Sequence, residues 1–268
     1  MTRSVPLELF LGLSLVLGCH RAPAPAAASD AAPPESSAPE PQNGPGPVRT
    51  DAVPVPDDLP AFVVRGARAH RTPMLFVPGM CVHPQGYVQS FQHTAASRGD
   101  LVAVQGDVPC GDSFGGRRWS SDLVAMDRRI DAAFLAAGLG EPRGVIVIGY
   151  SQGAERAEKL VARFPEKYSA AILISSPVIP SRALLAKADA VVLMAGQHDL
   201  AQGTHPGAAS MLKRGAIPAT FLTLPGARHG QMGDSPEQSM RQALDFVEES
   251  RRMKNERSPS SHEGLPAR

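Results

Sequence analysis

Six short apolar runs, each too uninterrupted to be one stripe of an amphipathic helix, decide what this 268-residue chain can fold into. They are MLFV (74–77), LVAVQ (101–105), GVIVIG (144–149), AAILIS (170–175), AVVLMAG (190–196) and ATFLTL (219–224). A strand with one wet face alternates apolar and polar residues, whereas a strand covered on both faces has no need to, so these runs point to a mostly parallel sheet. Parallel strands need long crossovers, and the intervening segments carry helical spacing. Leu123, Met126, Ile130 and Phe134 recur behind Ser120 and Ser121 as candidate caps, and Ala157, Leu160, Val161 and Phe164 recur further on. A last helix is expected near 235–253, with Met240, Leu244 and Val247 on one face. Strand and helix in alternation, with right-handed crossovers, make a doubly wound α/β domain.

The two ends of the chain have a different character. After Arg3 comes the apolar run LFLGLSLVLGC (9–19), shorter than the roughly 20 residues that span a bilayer, which reads as a signal peptide over 1–19. Its end, VLGC, resembles the bacterial lipobox, which implies lipidation of Cys19 and a membrane anchor, with simple secretion as the alternative. Residues 20–57 are dominated by Pro, Ala, Ser and acidic residues and cannot bury enough apolar surface to offset their ordering entropy. They are expected to form an extended tether, and the polar segment 255–268 a frayed tail, leaving 58–254 for the folded domain. A formal net charge of +1 provides no basic field for nucleic acid. Three cysteines, Cys19, Cys81 and Cys110, are too few for a disulfide-built scaffold and wrongly spaced for a zinc knuckle.

In a doubly wound sheet, reactive groups collect where strands end at their carboxyl edge. There GVIVIG continues into YSQG, a G-x-S-x-G pattern over 149–153 in which a strained strand-to-helix turn pushes the Ser151 hydroxyl outward. The plainer alternative is a serine that caps the following helix. A serine hydroxyl attacks only with a base in hydrogen-bond reach and a carboxylate behind that base. Asp199 follows AVVLMAG in QHDLAQGTHPG, and His229 follows ATFLTL in PGARHGQMG. Asp234 is an alternative acid, better read as a cap for the last helix. A zinc site from His198, Asp199, His205 and His229 is the rival arrangement, but it leaves the serine turn without a purpose.

GYSQG after an aliphatic strand, with Ser151, Asp199 and His229 in that chain order, resembles the α/β-hydrolase superfamily. The resemblance implies the α/β-hydrolase fold, a nucleophile–acid–base triad, and an oxyanion hole from the backbone N–H groups of Gln152 and Met80. Met80 lies in PGMCVHPQGY, where Pro78 stands in place of the usual histidine. In such a sheet the strands before Cys81 and Cys110 are neighbours, which leaves two outcomes for the thiols, a disulfide or two unpaired buried groups. GYSQG is similar to the serine signature of cutinases, while the strand between acid and histidine resembles dienelactone-hydrolase-like and carboxylesterase-like relatives. Only SPVIPSRALLAKAD separates the two strands where lid domains are commonly inserted, so an open cleft is expected, with Phe114 and Trp119 on its wall and Arg117 and Arg118 solvated. The implied function is that of a secreted or membrane-tethered serine hydrolase acting on small or surface-bound carboxylic esters, without cofactor or metal. A peptidase or acyltransferase on the same triad, or a non-catalytic envelope binding protein, are the alternatives.

Overall fold

The computed structural model describes residues 47–67, 72–111 and 115–257. Among these, ten strands form: β1 (Thr50–Val53), β2 (Ala61–Val64), β3 (Met74–Val77), β4 (Leu101–Ala103), β5 (Val108–Pro109), β6 (Arg117–Arg118), β7 (Val145–Tyr150), β8 (Tyr168–Ile174), β9 (Ala190–Gly196) and β10 (Ala219–Leu224). Six helices accompany them: α1 (Pro84–Gln89), α2 (Gln92–Arg98), α3 (Leu123–Ala136), α4 (Gln152–Arg163), α5 (His205–Arg214) and α6 (Pro236–Arg257). The six apolar runs are β3, β4 and β7 to β10. Eight strands join in one sheet in the order β1-β2-β4-β3-β7-β8-β9-β10. From β4 to β10 all pairings are parallel, and β1 and β2 form an antiparallel edge.

Alternation is hidden in the runs because both faces are apolar, yet it governs where each side chain goes. Val145 and Val147 of β7 pack with Ile130 and Phe134 of α3, Leu160 of α4 and Leu212 of α5. Ile146, Ile148 and Tyr150 point to the other face, with Val88 of α1, Phe91, Ala95 of α2, and Met240, Leu244 and Val247 of α6. Each face of the central strands therefore buries a full row of side chains, at roughly 1.5–3 kcal/mol for each large one.

Several boundaries differ from the sequence reading. Strand β1 pairs with β2 from Thr50↔Val64 to Val53↔Ala61, so the folded domain begins before residue 58 and the expected tether 20–57 is too long by at least a strand. Helix α6 continues to Arg257, past the expected start of the tail at 255. The cap of α3 is Asp122, whose carboxylate accepts from the N–H groups of Val124 and Ala125 at 3.0 and 2.9 Å, rather than Ser120 or Ser121. The signal peptide, Cys19, most of the tether, the final residues of the tail and Phe114 lie outside the described residues. Among the described residues no helix is long and apolar enough to cross a membrane.

Candidate active site

Strand β7 ends in a turn that only this glycine spacing allows. A Cβ at Gly149 would sit 2.4 Å from the carbonyl oxygen of Gly153, and one at Gly153 would sit 2.0 Å from that of Val77. With both side chains absent, α4 starts directly against β3 and β7, and the serine between them is forced to φ 51° and ψ −118°. Such a backbone costs a non-glycine residue on the order of 1–3 kcal/mol. Ser151 makes no side-chain cap bond to α4, so its hydroxyl is not the helix cap of the plainer reading. Its backbone is pinned instead, with the N–H donating to Ile174 O at 2.8 Å and the carbonyl accepting from Ala154 N–H at 2.9 Å.

The two distant residues converge on this hydroxyl. His229 Nε2 lies 3.0 Å from Ser151 Oγ, and His229 Nδ1 lies 2.9 Å from Asp199 Oδ2. The other carboxylate oxygen of Asp199 accepts from Ala201 N–H at 3.0 Å, at the start of the 3-10 turn that follows β9. The carboxylate side chain is 3% exposed and the imidazole 53%, so the acid is shielded while the base faces the opening. Burial pushes the Asp199 pKa up, but the Ala201 N–H and His229 outweigh it and hold the group below its ordinary value. The acid is therefore ionised at neutral pH. Asp234 does not meet the histidine; its carboxylate lies against Gly226.

The other two histidines of the rival zinc set stand outside this relay. His205 is fully buried, with Nε2 accepting from Ser176 N–H at 3.2 Å, and burial lowers its pKa. His198 is exposed. Among the described residues no group of three or more His, Cys, Asp or Glu side chains is arranged to hold a metal ion, so the rival zinc arrangement is not formed.

The loop after β3 passes over the serine, since a Cβ on Gly79 would come within 3.2 Å of Ser151 Cβ. Among the described residues the N–H groups of Met80 and Gln152 are taken up by no hydrogen bond, which suits two donors waiting for an oxyanion. Cys81 and Cys110 are joined in a disulfide across a sequence separation of 29 residues, so of the two outcomes left open the bonded one is found. The bond ties the loop to the β5–β6 hairpin, where Cys81 N–H also donates to Arg117 O at 2.8 Å. Removing it with Cys81→Ser and Cys110→Ser should cost about 3 kcal/mol through the freed loop. In thermal unfolding this is an expected fall of about 10 °C in Tm, and an unchanged Tm would show that the hairpin is held without it.

Trp119 takes a different place from the one its sequence suggested. It is 2% exposed rather than on the cleft wall, and its indole N–H donates to Pro78 O at 2.8 Å. The Gln152 side chain accepts from Trp119 N–H at 2.9 Å and donates to Trp119 O at 3.3 Å. One residue thus holds both segments from which the oxyanion donors are expected, the loop after β3 and the start of α4. Arg117 is not a solvated charge either, since its guanidinium donates to the carbonyls of Gly106 and Asp107, each at 2.7 Å.

Two tyrosines absent from the sequence reading grip the peptide after the histidine. Tyr87 Oη donates to Gly230 O at 2.8 Å, and Tyr150 Oη accepts from Gly230 N–H at 2.7 Å. Burial raises both phenol pKa values, that of Tyr87 to about 12, so both remain hydroxyls at neutral pH. Tyr150 had a local signal, because strand parity sends it to the α1 face with Ile146 and Ile148. Its partner is 80 residues away and has none.

No family model matches the sequence, and no curated protein matches it. Solved structures do resemble it at low identity. A predicted CIB-like hydrolase from Thermoplasma acidophilum is 15% identical, with 76% of this chain and 99% of that one covered at a TM-score of 0.56. Esterase PE8 is 18% identical, covering 74% and 100%, at 0.53. Fluorophosphonate-binding serine hydrolase F (FphF) of Staphylococcus aureus is 13% identical, covering 76% and 99%, at 0.54. With its parallel core, its glycine-flanked serine turn after the central strand and these neighbours, the chain has the α/β-hydrolase fold.

Proposed function

We propose that the chain is a serine hydrolase that cleaves carboxylic esters through an acyl-Ser151 intermediate. The observation that carries this reading is the continuous hydrogen-bonded relay from Ser151 Oγ through His229 to Asp199. As Oγ bonds to the carbonyl carbon, His229 Nε2 takes its proton, and the carbonyl electron pair moves onto oxygen between the N–H groups of Met80 and Gln152. When the tetrahedral centre collapses, the bond to the alcohol oxygen breaks and His229 returns the proton to that oxygen. Water then repeats the sequence on the acyl-serine and releases the acid. Asp199 keeps the proton on Nδ1, leaving Nε2 as the base, and stabilises the imidazolium once it forms.

The imidazole stands in an open cleft, 53% exposed, with no lid domain over it among the described residues, which suits small or surface-bound esters better than the substrates of a lid-gated lipase. The reading includes an envelope location, with Cys19 as lipid anchor, since disulfides such as Cys81–Cys110 persist outside the reducing cytoplasm. A fluorophosphonate probe tests the core of it. Covalent labelling of the wild type at Ser151, and none of Ser151→Ala, is the expected result; an unlabelled wild type removes the hydrolase reading. Faster cleavage of a p-nitroanilide than of the matching p-nitrophenyl ester would move the assignment to a peptidase.

A further inference from the structure

Two cavities share the His229–Gly230 segment as a wall. The larger, about 510 Å³, lies between the loop after β8 and the turn after β9, and its lining includes both His229 and Asp199. The smaller, about 350 Å³, lies on the α1 side against Tyr87 and Gly230. Whatever enters the larger one touches the proposed base, so it is continuous with the chemistry rather than separate from it.

Its rim is unusual for a water-exposed edge. Val178, Ile179 and Leu200 are 44%, 63% and 95% exposed, and all three belong to this one cavity. Large aliphatic side chains gathered bare around a single opening are what a docked apolar group would cover. The charges of the lining point the same way. It contains no lysine or arginine, and its carboxylate, Asp199, is already turned to His229 and Ala201 N–H. An anionic group would find no counter-charge there. Of the other polar side chains, Ser176 Oγ accepts from Val178 N–H and Thr204 Oγ1 donates to Ala201 O, while the buried Ser175 Oγ is left without a hydrogen-bond partner among the described residues.

We propose that this cavity is the specificity site for an uncharged apolar arm of the ester, aliphatic or aryl, which lies against Val178, Ile179 and Leu200 while its carbonyl meets Ser151. The proposal rests on the hydrolase reading above. The same apolar chemistry can come from the acyl side or the alcohol side of the ester, and two substrate series separate them. One is p-nitrophenyl acetate, butyrate and octanoate, and the other is ethyl, butyl and octyl acetate, all assayed below their solubility limits.

In one of the two series, kcat/KM is expected to rise on the order of tenfold with arm length, mainly through KM. The double variant Ile179→Ser with Leu200→Ser, at positions exposed enough to spare the fold, should compress that ratio towards one. Leu135→Ser, on α3 at 57% exposure, close to the 63% of Ile179, and outside both cavity walls, should leave the ratio as in the wild type. Flat series on both sides, or a ratio that survives the double variant, overturns the proposal while fluorophosphonate labelling of Ser151 still stands. Absence of labelling together with absence of any ester cleavage overturns both this site and the hydrolase reading.

Discussion

Replacing Ser151 by alanine is expected to lower kcat on p-nitrophenyl acetate by about 10⁵- to 10⁶-fold while Tm stays within the shift of about 0.5 kcal/mol typical of a surface change. The loss follows from the relay, because His229 Nε2 at 3.0 Å then has no hydroxyl to deprotonate and no acyl-enzyme can form. Stability is insensitive because the side chain makes no cap bond to α4, and alanine keeps the Cβ that strains a backbone at φ 51°. Glycine at the same position tests that second point. Ser151→Gly removes the Cβ as well as the hydroxyl, and should be about 1 kcal/mol more stable than Ser151→Ala in denaturant unfolding. Equal stabilities would mean that the turn holds no strain. Substantial turnover in either variant would mean that the three side chains are not the machinery.

The legibility of most strands follows burial, although the fully buried AFVV of β2 is not among the six runs. AVVLMAG corresponds residue for residue to β9 and MLFV to β3, because strands that pack helices on both sides must be apolar throughout, while ATFLTL matches β10, a partly buried edge strand, through its alanine, phenylalanine and leucines. TDAV went unread for the opposite reason: β1 is an edge strand with its middle residues exposed, and such a segment carries no apolar signal. Strands β5 and β6 are two residues each and exist because the disulfide and the Arg117 contacts hold them, so no window of sequence could reveal them. At the site, Ser151, Asp199 and His229 were legible because each follows a strand that could be counted. Trp119 was misread because an indole in a glycine-rich loop looks like a cleft wall, and its real partners, Pro78 and Gln152, are 41 and 33 residues away. The tyrosine grip on Gly230 was invisible for the same reason. What local sequence conveys is which residues end a strand; what it omits is which loops then touch.

Asp199→Asn is expected to lower kcat by about 10⁴-fold at neutral pH, although it removes no atom from the serine or the imidazole. Both oxygens of the carboxylate accept, one from Ala201 N–H at 3.0 Å and one from His229 Nδ1 at 2.9 Å. An amide has a single acceptor oxygen. If that oxygen faces His229, the amide NH2 meets the Ala201 N–H, donor against donor in a site only 3% exposed. If it faces Ala201, the NH2 points at Nδ1 and forces the proton onto Nε2, so the imidazole donates towards Ser151 and no base remains. The backbone N–H cannot change its role, whereas the histidine can change tautomer, so the second arrangement wins. Nitrogen-15 shifts of the His229 ring should therefore show Nδ1 unprotonated in the variant and protonated in the wild type. Stability follows a related path. The Asp199 pKa is held below its ordinary value, so its stabilising contribution is present above about pH 4 and is lost as pH falls through the folded-state pKa. Wild type and variant should differ in Tm at neutral pH and converge in acid. Wild-type turnover with the proton still on Nδ1 would refute the tautomer argument, and a Tm difference that persists in acid would refute the electrostatic one.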